Sequence, residues 1–334
     1  MASAVELLPF ADQPNTLKQA KKPPAKTNTV TNHPNNINTH WAFAHYQAIR
    51  HSLPTARFPS GSQRVTGLAD LSAEFDVFLL DAFGVLNVGH TAVPSAPAQV
   101  AALQAAGKRV MVLTNGASFP ATEAQKKYRQ LGFNFSLDNI VASRDALAHS
   151  LQKSNAPQGL WGVMARPGSQ VSTLAINSVS LDEEPSTYQQ VDGFILLGAS
   201  HWNAKQQQLL QQSLEQKPRP VWVGNPDLVA PRESDFSLEP GYFAHQLSAI
   251  PGVELQFFGK PFAEVYALAF ARLGKVSKSK VVMVGDTLHT DILGGAAFGL
   301  KTALVTDHGL FAKHTVQPFI DACGIVPDYI MASP

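Results

Sequence analysis

The stretch Phe75-Asp-Val-Phe-Leu-Leu-Asp81-Ala-Phe83-Gly-Val-Leu-Asn-Val-Gly89 decides how the rest of the chain is read. Its apolar run at 77–80 has the length of a strand buried on both faces, and it breaks into Asp81 with Gly84 close behind. A carboxylate therefore stands at the C-terminal end of a buried strand. In open parallel sheets that edge is where ligands bind, because strand-to-helix loops and helix N-termini converge there. Taken alone, such an aspartate is more often a turn residue or a helix cap. Its weight comes from residues further along the chain.

Residues 94–106 place Val100, Leu103 and Ala106 at helical spacing, stop at Gly107 and lead into a strand at 109–113. This is one β-α-β unit, whose crossover is right-handed. A second helix is expected at 122–131, closed by Gly132, then a strand at 140–142 and a helix at 146–151. A linker-like break at 155–158 opens a different rhythm: strands at 160–164, 193–198 and 220–223, helices at 169–175 and 204–214, a loop rich in Pro, Asp and Glu at 225–240, and a helix at 242–250. From 254 the first pattern returns, with strands at 254–258, 281–284 and 302–305 and helices at 263–273, 290–298 and 316–322. The expected fold class is α/β, a Rossmann-like core with a parallel sheet interrupted by a smaller α/β unit. The core occupies 67–154 and 254–334, the insertion 155–253, and an N-terminal extension 1–66.

Residues 13–39 carry Lys18, Lys21, Lys22 and Lys26 beside Pro23 and Pro24, then Asn32-His-Pro-Asn-Asn-Ile-Asn38. Such a segment buries too little apolar surface to offset its ordering entropy and is expected as an extended arm or mobile tail. At 41–53 the spacing of Trp41, Ala44, His45, Ala48 and Ile49 predicts a short amphipathic helix docked on the folded body. With 334 residues, 45% of them hydrophobic, the chain supports two ordinary cores, and a net charge of +1 gives no electrostatic case for nucleic acid or an anionic membrane. No apolar run approaches the roughly 18–20 residues of a membrane helix, and residues 1–10 lack the basic start and cleavage site of a secretory signal. The single Cys323 excludes an internal disulfide framework and makes the cytoplasm the expected compartment.

Four polar positions fall at or just after expected buried strands. They are Asp81, Thr114 in Val112-Leu-Thr-Asn-Gly116, Lys260 in Gly259-Lys-Pro261, and Asp286 with Asp291 in Gly285-Asp-Thr-Leu-His-Thr-Asp291. Together they supply a nucleophile, a hydroxyl donor, a cation and further carboxylates. That set suits phosphoryl transfer: a carboxylate attacks phosphorus, while Mg²⁺ on hard oxygens and a lysine neutralise the phosphoryl oxygens.

In this order the residues resemble the haloacid dehalogenase (HAD) superfamily, and within it subfamily IIA, the phosphatases similar to p-nitrophenyl phosphatase and to the nucleotide phosphatase of the N-acetylglucosamine operon. The resemblance covers about residues 67–306, and its most specific string is Val284-Gly-Asp-Thr-Leu-His-Thr-Asp-Ile-Leu-Gly-Gly295. It implies that the insertion is a C2-type α/β cap and that the chain is a Mg²⁺-dependent hydrolase of small phosphorylated metabolites. Asp81 would be nucleophile and metal ligand, Thr114 would bond the phosphoryl oxygen beside the backbone of Asn115 and Gly116, and Lys260 would pair with nucleophile and phosphate. Asp286 would bind the metal, Asp291 would hold its water shell, and residue 83 would offer only its backbone carbonyl. Asn225, in Asn225-Pro-Asp227, and His289 are expected to face substrate. A homodimer is left open.

The chain departs from the family at Phe83, where the phosphatases carry a second aspartate that protonates the leaving oxygen. Phenylalanine cannot do this, and general acid-base catalysis is typically worth about 10²- to 10⁴-fold. Two alternatives therefore stand beside the phosphatase: a non-catalytic or regulatory phospho-ligand-binding protein on the same fold, and a hydrolase of C-halogen or C-P bonds. Asp192 and Arg166-Pro-Gly-Ser169 read as turn and loop, and Trp202 and Phe257-Phe258 as packing.

Overall fold

The run Val77–Leu80 forms a strand with all four side chains buried and parallel neighbours on both sides, Val281–Gly285 and Arg109–Thr114. Side chains on a strand alternate between faces, so Phe78 and Leu80 join one apolar cluster with Val112 and Val284, while Val77 and Leu79 join another with Met111 and Met283. Two-sided burial is why the sequence reads there as an unbroken apolar run. The computed structural model describes residues 37–153, 158–233 and 235–334; the expected arm up to residue 36 and most of the break at 155–158 lie outside them.

The core sheet has seven strands in the order Gln63–Arg64, Tyr329–Met331, Lys301–Val305, Val281–Gly285, Val77–Leu80, Arg109–Thr114, Ile140–Ala142, all paired in parallel. From Val77–Leu80 the chain builds outward to Ile140–Ala142, then returns to the other side at Val281–Gly285. The strand order reverses between these two central strands, and in open α/β sheets the cleft at such a reversal is where ligands bind.

Between the two halves lies a second, five-stranded parallel sheet ordered Leu255–Phe257, Val221–Val223, Gly193–Leu196, Leu160–Met164, Asn177–Ser180. This corrects one boundary: the strand at Leu255–Phe257, expected to reopen the core, pairs in register with Val221–Val223 in the second sheet. A short strand with Leu255 and Phe257 buried and Gln256 partly exposed suits the edge of either sheet, so its sequence could not assign it. The Pro-rich stretch at 225–240, expected as loop, contains the antiparallel hairpin Val229–Pro231 with Phe236–Leu238, and the helix expected at 169–175 is a short 3₁₀ turn, Val171–Leu174.

The helix expected at 41–53 forms as Thr39–Ala48 followed by a turn at Arg50–Ser52. Asn38 caps it by accepting from the Trp41 amide, 3.0 Å away, which satisfies one of the unpaired N–H groups of its first turn. Thr39 Oγ1 donates to the Leu310 carbonyl at 2.8 Å, and the Leu228 amide donates to the Tyr46 hydroxyl at 3.1 Å. Tyr46 stacks on His289 with ring centroids 5.2 Å apart. One helix thus holds both the core and the inserted unit. Among the described residues no helix is long and apolar enough to cross a membrane.

Tyr46 is 2% exposed, so its removal leaves a cavity as well as a lost hydrogen bond. Tyr46→Ala is expected to cost about 3–5 kcal/mol, measured by urea unfolding.

Candidate active site

Register brings the expected residues together. Leu80 lies opposite both Val284 and Val112, and the Asp81 amide continues the ladder by donating to the Val284 carbonyl at 2.8 Å. Asp81, Asp286 and Thr114 therefore emerge from three adjacent strands on one edge. Lys260 arrives in the turn after Leu255–Phe257, and its Nζ stands 2.5 Å from Asp81 Oδ1 and 2.7 Å from Asp291 Oδ1. Lys260 is 1% exposed and Asp291 is fully buried.

Carboxylate oxygens of Asp81, Asp286 and Asp291 all lie within 4.8 Å of one another. Burial pushes Asp81 up to about 7 against the pull of Lys260, with Asp291 adding to the rise. Asp286 is pushed well above the carboxylate range by burial and then by Asp291 and Asp81. Lys260 shows the converse: burial lowers it, but Asp291, Asp81 and Asp227 together raise it above its ordinary value. One ammonium faces more negative charge than it can balance, and closely set hard oxygens are the donors a divalent cation such as Mg²⁺ takes. The residues fit such an ion.

Their supports are local. Asp286 accepts from Thr287 Oγ1 at 2.9 Å and from the Leu310 amide at 2.7 Å, which fixes both of its oxygens. Asp291 Oδ2 accepts from the Thr287 amide at 3.1 Å. Residues Leu288–Ile292 wind as a π turn before the helix Leu293–Ala297, a local widening often found at functional sites. Gly84 has φ +82°, and a β-carbon there would meet the Asp286 carboxylate at 2.6 Å, so only glycine fits.

Thr114 Oγ1 accepts from the Gly116 amide at 3.1 Å, which leaves its own hydrogen free to donate. Asn115 carries a side-chain function beyond the expected role of its backbone. Its side chain grips the backbone of Lys260, accepting from the amide at 2.7 Å and donating to the carbonyl at 2.9 Å, and donates again to Asp227 at 2.8 Å. Its side chain, to which no role was assigned, positions the lysine.

Two expectations are corrected. His289 is fully buried away from the edge, with Nε2 2.8 Å from Gln47 Oε1 and its ring against Tyr46 and Phe43. The π turn points it towards the N-terminal helix, whose contacts a local reading of 284–295 does not contain. Asn225 accepts from the Asp227 amide at 3.0 Å and donates to Glu239 at 3.1 Å, so it shapes the loop. The member of that string nearest the site is Asp227, which burial and then Asp81 and Asp291 push well up against Lys260 and Asn115. The Asn-Pro-Asp string was the available signal for it.

Phe83 is half-buried, and its ring carries two cations. Lys127 Nζ, from the helix Ala121–Gln130, lies 4.5 Å from its centroid, and the Arg232 guanidinium, from the turn of the hairpin, lies 5.1 Å away. Burial, with Arg232 nearby, pushes Lys127 down to about 8, while Asp81 raises it. Nothing in the local sequence marked either cation.

Comparison with known proteins agrees with this geometry. Residues 78–174 match the family described as haloacid dehalogenase-like hydrolase, and residues 257–331 match that described as HAD-hydrolase-like, together just over half of the chain. The chain is 28% identical over 290 residues to a glycerol-3-phosphate phosphatase of Homo sapiens, covering 79% of this chain and 90% of that one. It is 26% identical over 228 residues to a dihydroxyacetone phosphatase of Corynebacterium glutamicum, covering 68% and 80%. Among solved structures, a possible sugar phosphatase from Cytophaga hutchinsonii superposes with a TM-score of 0.71 at 27% identity, over 82% of this chain and 98% of that one.

His289 gives a test of its placement. Burial pushes it down to about 3, so between that value and the ordinary value near 6.5 the unfolded chain binds a proton that the folded chain does not. Stability therefore falls as pH falls through about 6.5. Between pH 7 and pH 5 wild type should lose about 2 kcal/mol more than His289→Phe, as read by denaturant unfolding at each pH.

Proposed function

The chain belongs to the haloacid dehalogenase-like hydrolases, and from that premise and its converging carboxylates we propose a Mg²⁺-dependent phosphatase that hydrolyses small phosphate esters through an aspartyl-phosphate on Asp81. The observation that carries the reading is Lys260 Nζ held between Asp81 and Asp291, with Asp286 beside them. A catalytic demand explains why so much buried charge is kept at one sheet edge, because unpaired buried charge costs stability. Relatives named for glycerol 3-phosphate and dihydroxyacetone phosphate point to small phosphorylated metabolites as the substrate class. The cytoplasm suits such metabolites and the lone cysteine.

Asp81 Oδ attacks phosphorus, and the P–O bond to the leaving group breaks. Lys260 keeps Asp81 oriented and offers its charge to the phosphoryl oxygens, and Thr114 Oγ1 donates to one of them. Mg²⁺, held by Asp81, Asp286 and the backbone carbonyl of residue 83, with Asp291 around its water shell, would supply positive charge against the transferring group. Water then hydrolyses the aspartyl-phosphate and frees Asp81. The second sheet serves as a C2-type cap over this edge, spanning about residues 158–257, and its Asp227 and Arg232 reach the core. Closing it would exclude water other than the one that reacts.

Phe83 sets the character of the reaction. Without a side-chain acid at that position, the leaving oxygen departs with its charge and takes its proton from water. Phe83 also favours a second reading, a phospho-ligand-binding protein without turnover. Asp81→Asn decides between them as the blank in a metabolite phosphatase screen with and without Mg²⁺. Phosphate release that equals the blank would leave the binding reading.

Two outcomes are expected of this site. In titration calorimetry, Asp286→Ala should weaken Mg²⁺ binding by roughly 10-fold or more, since it removes one of three carboxylates around the ion. Across a series of esters, wild-type rates should fall steeply as the leaving group becomes more basic. Phe83→Asp should raise alkyl-ester hydrolysis by about 10-fold, below the full general-acid range, because Lys127 and Arg232 would hold the new carboxylate ionised. A rate series with no slope, or no gain in the variant, would remove unassisted departure from the mechanism.

A further inference from the structure

The two cations over Phe83 play no part in the chemistry above. Lys127 comes from the core helix that follows the Thr114 strand, and Arg232 from the turn of the inserted hairpin. Both stand over the ring of the residue two places after the nucleophile, so the site carries paired positive charge where the leaving group must lie. Arg232 is fixed: Nε donates to Ser237 Oγ at 2.9 Å and Nη2 to Glu239 Oε1 at 2.9 Å. Its hairpin is docked by Glu233, which accepts from the His90 amide of the core at 2.7 Å.

Glu239 therefore answers part of the Arg232 charge, and Arg166 is near enough to act on Glu239 as well. Lys127 is different. Its side chain is half-buried, and among the described residues its ammonium has neither a hydrogen bond nor a salt bridge; it lies against the faces of Phe83 and Tyr128, with Asp81 and Glu233 favouring its charge from further off. Two like charges beside one ring repel each other, and an anion at the ring's rim meets both. A neutral polyol tail has no use for that arrangement. An ester bearing a second anionic group does, and the apolar ring beneath would keep water from competing for it.

We propose that Lys127 and Arg232 form a second anion subsite over Phe83, which selects phosphate esters whose leaving group carries a carboxylate or another phosphate. The subsite rests on the phosphatase reading for the placement of the scissile phosphate. It also accounts for an aromatic residue at 83, since an aspartate there would occupy the cations itself and repel the anionic tail.

The test uses 3-phosphoglycerate and glycerol 3-phosphate, which differ only by a carboxylate in place of a hydroxymethyl group. Binding of each is measured by calorimetry with Mg²⁺ in the full chain carrying Asp81→Asn, so the result does not depend on turnover. The acid should bind about 10-fold tighter or more, and adding Lys127→Met or Arg232→Met should each erase most of that ratio, with circular dichroism confirming the fold. Raising salt should narrow the ratio in the same direction. Equal affinities, a preference that survives both substitutions, or no binding of the acid would overturn the subsite. Failure of the phosphatase reading shows separately, as no phosphate release from either ester by the chain with Asp81 intact.

Discussion

A single ammonium buried among carboxylates governs the functional half of this molecule. Lys260 is nearly inaccessible to water, and removing it would leave Asp81 and Asp291 facing each other and Asp286 at close range with no positive charge between them. Its own position is set by Asn115, which binds its backbone on both sides, and Asn115 comes from the strand next to the nucleophile. The electrostatic balance of the site is thus tied to the hydrogen bonding of the sheet edge.

The sequence made the core legible because its signals are local. An apolar run ending in Asp81, a glycine-closed helix after it, and the string around Asp286 each describe their own surroundings, and parallel register then forces them onto one edge. What stayed hidden depends on partners distant in the chain. Leu255–Phe257 reads as a buried strand but carries no mark of which sheet it joins. His289 lies in the string that carries Asp286 and Asp291 and yet serves packing, because residues 43–47 turn it away from the edge. Lys127 and Arg232 look like ordinary surface cations until a hairpin brings one over the ring that already faces the other.

The substitution at 83 changes more than one group. In place of a carboxylate that would join three others, the site has a ring that tolerates cations on its face, an attraction of about 0.5–2 kcal/mol for each. The position offers no titratable group, and Lys127 and Arg232 stand over it.

The order of the strands has a consequence for how the protein is made. Among the described residues Gln63–Arg64 pairs with Tyr329–Met331 alone, and the helix Thr39–Ala48 rests on Leu228, His289 and Leu310. These early segments leave the ribosome long before their partners exist. Until the last third of the chain is made, the apolar face of that helix, with Ala42 and Tyr46, has nothing native to cover it. Non-local pairing of this kind is slow to form and leaves apolar surface exposed while it waits.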